Sequence, residues 1–209
     1  MHALIKNILI LGIISLFITS CSTMNKSECL TADWRTIGFG DGANGHTASR
    51  ISQHRSACAE HGITPDLNAY NAGRSQGLSQ YCIPSKGYHK GMSGVSYNGV
   101  CSGHNEKDFL DAYNFGYAIY KEEKILSNMK SDYSREQHRI SSLERSLQYK
   151  EQQIISGKLS KVKALMLLNE TKQMAEELGK AKSNLNNIAA SIQDQEGRIA
   201  SIRSERNYN

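Results

Sequence analysis

Large apolar side chains are scarce in this chain: hydrophobic residues make up 39% of its 209 positions, and tryptophan occurs once, at Trp34. So thin a supply makes a single large core hard to build, and covalent staples become the expected compensation. No apolar run reaches the roughly 20 residues that a membrane-spanning helix takes. Lys and Arg are interspersed with Asp and Glu, 25 against 20, which reads as a solvated helical surface. The absence of a basic stripe interleaved with aromatics excludes a nucleic-acid surface. No serine sits in a Gly-x-Ser-x-Gly setting. Gly38-Phe39-Gly40 and Asp41-Gly42 have no strand before them and no Gly-Lys-Ser after them, so they read as a turn rather than a phosphate loop. Nothing here asks for a catalyst or a cofactor, and the chain reads as a non-enzyme.

What is present begins with an address. Lys6, the apolar run Ile8–Ile18 and the small residues that follow have the order of a secretory signal. Ile18-Thr19-Ser20-Cys21 resembles a bacterial lipobox. The resemblance implies that Cys21 is the first mature residue and carries acyl chains such as palmitate. At roughly 0.8 kcal/mol per buried methylene, two or more such chains make a firm membrane anchor. Ser22, rather than an aspartate, resembles outer-membrane sorting, so the expected location is the outer membrane, facing the periplasm.

Beyond the signal, composition divides the chain. Apart from Tyr133, Tyr149 and Tyr208, every remaining aromatic lies between Trp34 and Tyr120, as do nearly all the glycines. After Lys121 the chain is mainly Ser, Gln, Glu, Lys, Ile and Leu. The expected organisation is a lipoprotein signal peptide at 1–20, a lipidated cysteine and spacer at 21–28, a Gly/Tyr/Cys-rich helical domain at 29–120 and a coiled-coil hairpin at 121–209. Setting Cys21 aside leaves Cys29, Cys58, Cys82 and Cys101, an even number in an oxidising compartment. Three pairings are possible. Cys29–Cys58 with Cys82–Cys101 is favoured because each closes a local loop, and loops of that length contribute roughly 3 kcal/mol each in the chain-entropy model.

Within the domain, Thr31 reads as a helix N-cap ahead of Asp33 and Trp34. Glycines at 38, 40, 42 and 45 then either break that helix or let another backbone close in. Thr47 or Ser49 can cap a second helix through Ile51, His54 and Cys58, with Gly62 after its end. Thr64-Pro65-Asp66 starts a third, with Thr64 as its cap, Pro65 at the first helical position and Asp66 in the first turn, running to about Tyr81. Cys82–His104, rich in Gly, Ser and Tyr, reads as a disulfide-closed loop with weak strand signals around Val95–Val100. Asn105, with Asp108, reads as the cap of a long helix. Leu67-Asn68-Ala69-Tyr70-Asn71-Ala72-Gly73 is echoed by Leu110-Asp111-Ala112-Tyr113-Asn114-Phe115-Gly116. Tyr and Gly three apart share a helix face, so a ring can lie over the bare backbone of a neighbouring helix.

A heptad seam runs from Ala112 through Ile119, Leu126, Met129, Ile140 and Leu147 to Ile154, interrupted by Glu122, Glu136 and Lys150. A second runs from Ala164 through Leu167, Thr171, Leu178 and Leu185 to Ile202, interrupted by Gln195. Sustained a/d patterning predicts a coiled coil. The seams lose register across Ser156-Gly157-Lys158, and the arms are nearly equal, which favours an antiparallel hairpin.

Five histidines (His46, His54, His61, His89, His104) fall in the glycine-rich domain, and His54, Cys58 and His61 share helical spacing. A metal site is conceivable there, but oxidation of Cys58 removes the thiolate, and no metal is expected. Arg74, Tyr88 and Tyr97 are the candidate binding surface, since Tyr and Arg suit recognition of glycans or protein partners.

One pattern gathers these residues. Trp34, Gly38, Asp41-Gly42, Gly45, His54, Cys58, Gly62, Asp66, Tyr70-x-x-Gly73-Arg74-x-x-Gly77-Leu78-x-x-Tyr81-Cys82-x-Pro84, Gly87-Tyr88-x-x-Gly91-x-x-Gly94-x-x-Tyr97-x-Gly99-Val100-Cys101 and Phe109, Tyr113, Gly116 resemble a family of proteobacterial cell-envelope lipoproteins known only as a domain of unknown function. The resemblance spans about 29–120. It implies envelope location and paired cysteines, and no activity. Gly116 is often followed by Arg in that pattern, where this chain has Tyr117.

The sequence therefore predicts an all-α protein: a small disulfide-stapled helical domain followed by a long coiled-coil hairpin. The expected function is non-catalytic, a lipid-anchored envelope protein that binds or tethers a partner through its coiled coil. The alternative is a glycan- or small-ligand-binding module using the Gly/Tyr surface.

Overall fold

The computed structural model describes residues 24–206, so the signal stretch, Cys21 and Ser22 lie outside the described residues. The expected all-helical class is what the chain adopts. Among the described residues there are seven α-helices and no strand: α1 Lys26–Thr31, α2 Trp34–Ala43, α3 Arg50–Ala59, α4 Leu67–Tyr81, α5 Pro84–Met92, α6 Glu106–Ile155 and α7 Lys161–Glu205. They form two compact units. One comprises the described residues up to Ile83 with Tyr97–Glu106, and the other comprises Pro84–Ser96 with the chain from Lys107 onward.

Caps in the first unit differ from expectation in an instructive way. Thr31 is the last residue of α1 rather than a cap, because its hydroxyl donates to the Ser27 carbonyl within that helix. Asp33 caps α2 instead, accepting from Arg35 and Thr36 N–H at 3.0 and 3.3 Å. The expected spacer overlaps α1, which Asn25 and Glu28 close with reciprocal side-chain-to-backbone bonds. Likewise Asp66, not Thr64, caps α4. In both places an ionised carboxylate wins over a nearby hydroxyl, as charge-assisted bonds to N–H are the stronger kind. Ser49 stands at the α3 N-cap with no side-chain cap bond.

Glycines 38, 40 and 42 do not break α2. Gly38 and Gly42 let α4 close in, while Gly40 faces open space. A Cβ added at Gly38 would fall 2.1 Å from the Tyr70 carbonyl oxygen, and one at Gly42 2.2 Å from that of Arg74. Reciprocally, Cβ atoms at Gly73 and Gly77 would meet the carbonyls of Arg35 and Phe39 at 1.9 and 2.2 Å. Partner numbers rise together along both helices, so the two run parallel, backbone against backbone. After Asn44, Gly45 takes a left-handed φ of 68° and ends α2 in a Schellman motif, with Gly45 N–H on Gly42 O and His46 N–H on Asp41 O. The cysteines pair as favoured, Cys29 with Cys58 and Cys82 with Cys101. The first disulfide sits in the core with Met24, Trp34, Ala57 and Tyr70.

In the second unit the largest departure is α5, where the sequence reads as a loop. Gly87 and Gly91 lower its intrinsic helicity, but both face α6 so closely that a Cβ would meet Phe109 O at 2.3 Å and Tyr113 O at 2.1 Å. Packing overrides propensity. Pro84 supplies a preset φ at the first helical position. α6 then passes position 121 unbroken and ends at Ile155. Gly157, at φ 66°, turns the chain, Ser160 caps α7 by accepting from Lys163 N–H, and α7 returns alongside α6 as the expected antiparallel hairpin. No helix among the described residues is long and apolar enough to cross a membrane.

Candidate functional site

The most concentrated chemistry of the first unit is built around Asp41. The Asp41-Gly42 pair, expected as a turn, lies inside α2, and Asp41 is only 8% exposed. One carboxylate oxygen accepts both the Tyr70 hydroxyl at 2.8 Å and His54 Nε2 at 2.9 Å. Arg50 Nε stands 3.8 Å from the other. His54 packs between Trp34 and Tyr70, with ring centroids 6.4 and 6.2 Å away. Tyr70 is fully buried. Burial first, and the Asp41 bond second, push its hydroxyl well above the usual phenol range, so it remains a donor to Asp41. Three helices are thereby tied: α2 through Asp41, α3 through Arg50 and His54, and α4 through Tyr70. A carboxylate, an imidazole and a phenol in contact have the parts of a proton relay, but all three are buried, and what they do is hold the helices together.

The histidines separate. Cys58 is in a disulfide and His54 is held by Asp41, while His61 is exposed, so the 54/58/61 spacing assembles no ligand set. Among the described residues no cluster of three or more His, Cys, Asp or Glu could hold a metal ion. His104 Nε2 lies 3.0 Å from the Ser75 carbonyl.

The candidate binding residues all have partners inside their own units. Arg74 donates to His46 O at 2.9 Å. Tyr97 donates to Glu106 at 2.8 Å and accepts the Cys101 N–H at 2.9 Å, and burial with the Glu106 bond pushes its hydroxyl up to about 12. Tyr88 stacks on Phe115, centroids 6.1 Å apart.

The second unit repeats the helix-pair geometry of the first. Gly87, Gly91 and Gly94 stand where Gly38, Gly42 and Gly45 stand, and Phe109, Ala112, Gly116 and Tyr120 where Tyr70, Gly73, Gly77 and Tyr81 stand. The correspondence is physical. A Cβ at Gly45 would strike the Tyr81 ring at 2.2 Å, and one at Gly94 the Tyr120 ring at 2.3 Å. Tyr113 donates to Val95 O at 3.0 Å just as Arg74 donates to His46 O. The heptapeptide echo, which pairs Tyr70 with Tyr113, is one helical turn out of this register. A one-turn slip keeps residues on the same face, which is why it reads so well in sequence.

In the hairpin, each expected interruption of the first seam finds a partner across the arms. Gln195, itself the interruption of the second seam and 1% exposed, donates to the Glu122 carbonyl at 3.0 Å and carboxylate at 2.7 Å. Glu136 accepts from Asn184 at 3.4 Å, and Lys150 pairs with Glu170. Lys130–Glu196 and Glu144–Lys182, both 2.7 Å, add exposed ties. Apolar side chains nevertheless remain uncovered at the turn end: Ile155, Val162, Leu165, Met166 and Leu168 are each more than half exposed.

Fold and site together define an all-helical, disulfide-stapled module that packs helices backbone to backbone through glycine and carries a long antiparallel hairpin. A domain described as a protein of unknown function, DUF2799, covers residues 33–118. That stretch holds both glycine-packed pairs and leaves most of the hairpin outside. No curated protein and no solved structure matches the chain.

Proposed function

We propose that this is a lipid-anchored protein of the proteobacterial cell envelope, held in the outer membrane by Cys21 and facing the periplasm, whose hairpin binds or tethers a partner without catalysis. The observation that carries the reading is the apolar face of α7 formed by Val162, Leu165, Met166 and Leu168, exposed although Leu167 of the same turns is buried in the seam. A hairpin that has closed its own seam and still shows such a face has a surface to be covered. The glycan-binding alternative is supported less, because Arg74, Tyr88 and Tyr97 are engaged within their units and the glycines are spent on helix packing.

Two measurements test the proposal. Cys21→Ala is expected to abolish metabolic acyl labelling and release the protein from membranes, and continued labelling would sink the anchor. A photo-crosslinking amino acid at Leu165 is expected to give adducts in cells that one at Lys107, a charged surface position, does not. Identical patterns from both sites would remove the hairpin's role.

A further inference from the structure

The uncovered face has a particular charge around it. From Gln152 to Asn169 the chain contains no Asp or Glu, and it contains three exposed lysines, Lys158, Lys161 and Lys163. Elsewhere on the arms acids and bases alternate and pair across the hairpin, as Lys130–Glu196 and Glu144–Lys182 do. The first ion pair met from the turn is Lys150–Glu170, and it marks where that alternation begins.

The apolar residues have a direction too. Leu167 and Thr171, 4% and 9% exposed, point α7 into α6. At 100° per residue, Val162, Leu165 and Met166 fall on the opposite half of the helix, and Leu168 stands at the edge beside the seam. Their exposures are 71%, 70%, 54% and 51%, and Ile155, the last residue of α6, is 83% exposed. The turn end of the hairpin is thus apolar on its outer side and carries three lysines, with the nearest acids, Glu151 and Glu170, one turn further down the arms.

A second copy of the chain is a poor occupant. A two-fold contact sets the same patch against itself, which would bring Lys158, Lys161 and Lys163 toward their own copies while burying the apolar residues. An anionic lipid surface satisfies both features at once. Apolar side chains enter the boundary between headgroups and acyl chains, and lysines at the rim meet lipid phosphates. We propose that the hairpin tip docks on an anionic membrane surface through Ile155, Val162, Leu165, Met166 and Leu168, with Lys158, Lys161 and Lys163 at the headgroups. This rests on the tethering reading and names the partner. A chain anchored by lipid at Cys21 would then hold two membrane contacts, one at Cys21 and one at the turn between α6 and α7.

The test is flotation of the chain from position 21 onward, carrying Cys21→Ser so that no acyl anchor contributes. Vesicles of phosphatidylglycerol and phosphatidylethanolamine are compared with phosphatidylcholine vesicles. Three lysines near the surface predict a preference of about a hundred-fold for the anionic vesicles, and K158Q/K161Q/K163Q is expected to remove most of it. V162S/L165S/M166S is expected to abolish flotation while leaving the melting curve unchanged, since these side chains point away from the seam. Equal binding to both lipids, or flotation that survives the serine substitutions, overturns the proposal. So does a concentration-dependent dimer that those substitutions dissolve, which would give the face to a second copy. Specific protein adducts from Leu165 in cells, with no vesicle binding, would overturn the lipid assignment and leave the tethering reading standing. Loss of both results would remove the two together.

Discussion

Two helix pairs in this protein are packed by one device and filled by different residues. In α2 with α4, glycines lie against carbonyls of the facing helix, and the tyrosine at the crossing, Tyr70, carries a buried hydroxyl that needs an acceptor. Asp41 supplies it, and His54 and Arg50 gather around the buried carboxylate. In α5 with α6 the same crossing position is Phe109, fully buried and without a hydroxyl, and the place of Asp41 is taken by Lys90. Where the hydroxyl is absent, so is the acid. Ala112 likewise stands where Gly73 stands, so this pair is closed by three helix-facing glycines where the first has four. The backbone contact therefore carries the architecture, and the polar tie is an addition demanded by one hydroxyl. A buried unpaired donor or carboxylate costs more than the tie itself is worth.

The sharpest way to break the comparison is to add single methyl groups. Gly38→Ala and Gly73→Ala place a Cβ about 2 Å from a main-chain oxygen, which no rotamer change relieves. Each is expected to cost about 3 kcal/mol or more, and Gly87→Ala and Gly91→Ala should do the same in the second pair. Gly40, in the same helix as Gly38 but with nothing within 4 Å of its Cβ position, is the control. Gly40→Ala should gain up to about 1 kcal/mol from helix propensity. Urea titration of the five variants decides it, and equal effects at Gly38 and Gly40 would refute backbone contact as the organising device.

Next in size is the exchange of crossing residues. Tyr70→Phe leaves Asp41 with His54 and a distant Arg50, and should cost about 1.5–3 kcal/mol because the lost bond is to a charged acceptor. Phe109→Tyr buries a hydroxyl opposite no carboxylate and should cost about 1–3 kcal/mol. Thermal melts of both test the account: a neutral Tyr70→Phe would show that the tie contributes nothing net.

A smaller difference should appear at high pH. Tyr70, Tyr81 and Tyr97 of the first unit are all pushed up, with burial the leading cause in each. A tyrosine raised in the fold keeps its proton where the unfolded chain has lost it. Its contribution is intact below the ordinary value of 10.0 and, for Tyr97, is lost as pH climbs toward about 12. Rapid pH-jump unfolding should show stability falling across that window, and Tyr97→Phe should flatten part of the fall. An unchanged slope in Tyr97→Phe would remove Tyr97 from the account.

How far this was legible depends on the range of the forces involved. An even count of cysteines beyond Cys21 and a seam broken at Gly157 are local or periodic signals, and they lead to both disulfides and the hairpin. For glycines 38 to 45 the sequence leaves a helix break and a close approach both open; Gly38 and Gly42 take the second and Gly45 the first, and in α5 neither is legible because helicity there depends on carbonyls more than twenty residues away. Asp41-Gly42 has the local chemistry of a turn, and only burial against α3 and α4 makes it helical. The Asp41–His54–Tyr70 tie was missed for the same reason, although each of its residues stood in the resemblance pattern. A clue was available: Tyr70 and Asp41 are both exchanged, for Phe109 and Lys90, in the second pair, but seeing it needs the register that the seven-residue echo misplaced by a turn.

The smallest expected effect concerns the hairpin, and it extends the comparison to a third kind of interface. Glycine contacts fix register by shape, since a slip of one residue would drive a Cβ into a carbonyl. The hairpin has no such lock: its seam is made of flexible apolar side chains, and heptad seams can slide. Its polar interruptions are then what distinguish one register from its neighbours. Gln195 is the most buried of these, bonded to both the main-chain carbonyl and the carboxylate of Glu122. Gln195→Leu removes both bonds and adds apolar area, so the change in stability should be within about 1 kcal/mol of zero, the opposing contributions nearly cancelling. Register should respond more strongly. Spin labels at Lys124 and Ser201, both exposed, are expected to give one narrow distance in the parent chain and a broadened or divided distribution in Gln195→Leu. The same labels in Gly87→Ala should keep the narrow distance, since that substitution loosens α5 against α6 and leaves the hairpin in register. If Gln195→Leu keeps a single narrow distance, register is set elsewhere, with Lys150–Glu170 near the turn the next candidate. That outcome would make the hairpin a ruler indexed from its tip, with every residue along α7 placed by the turn at Gly157.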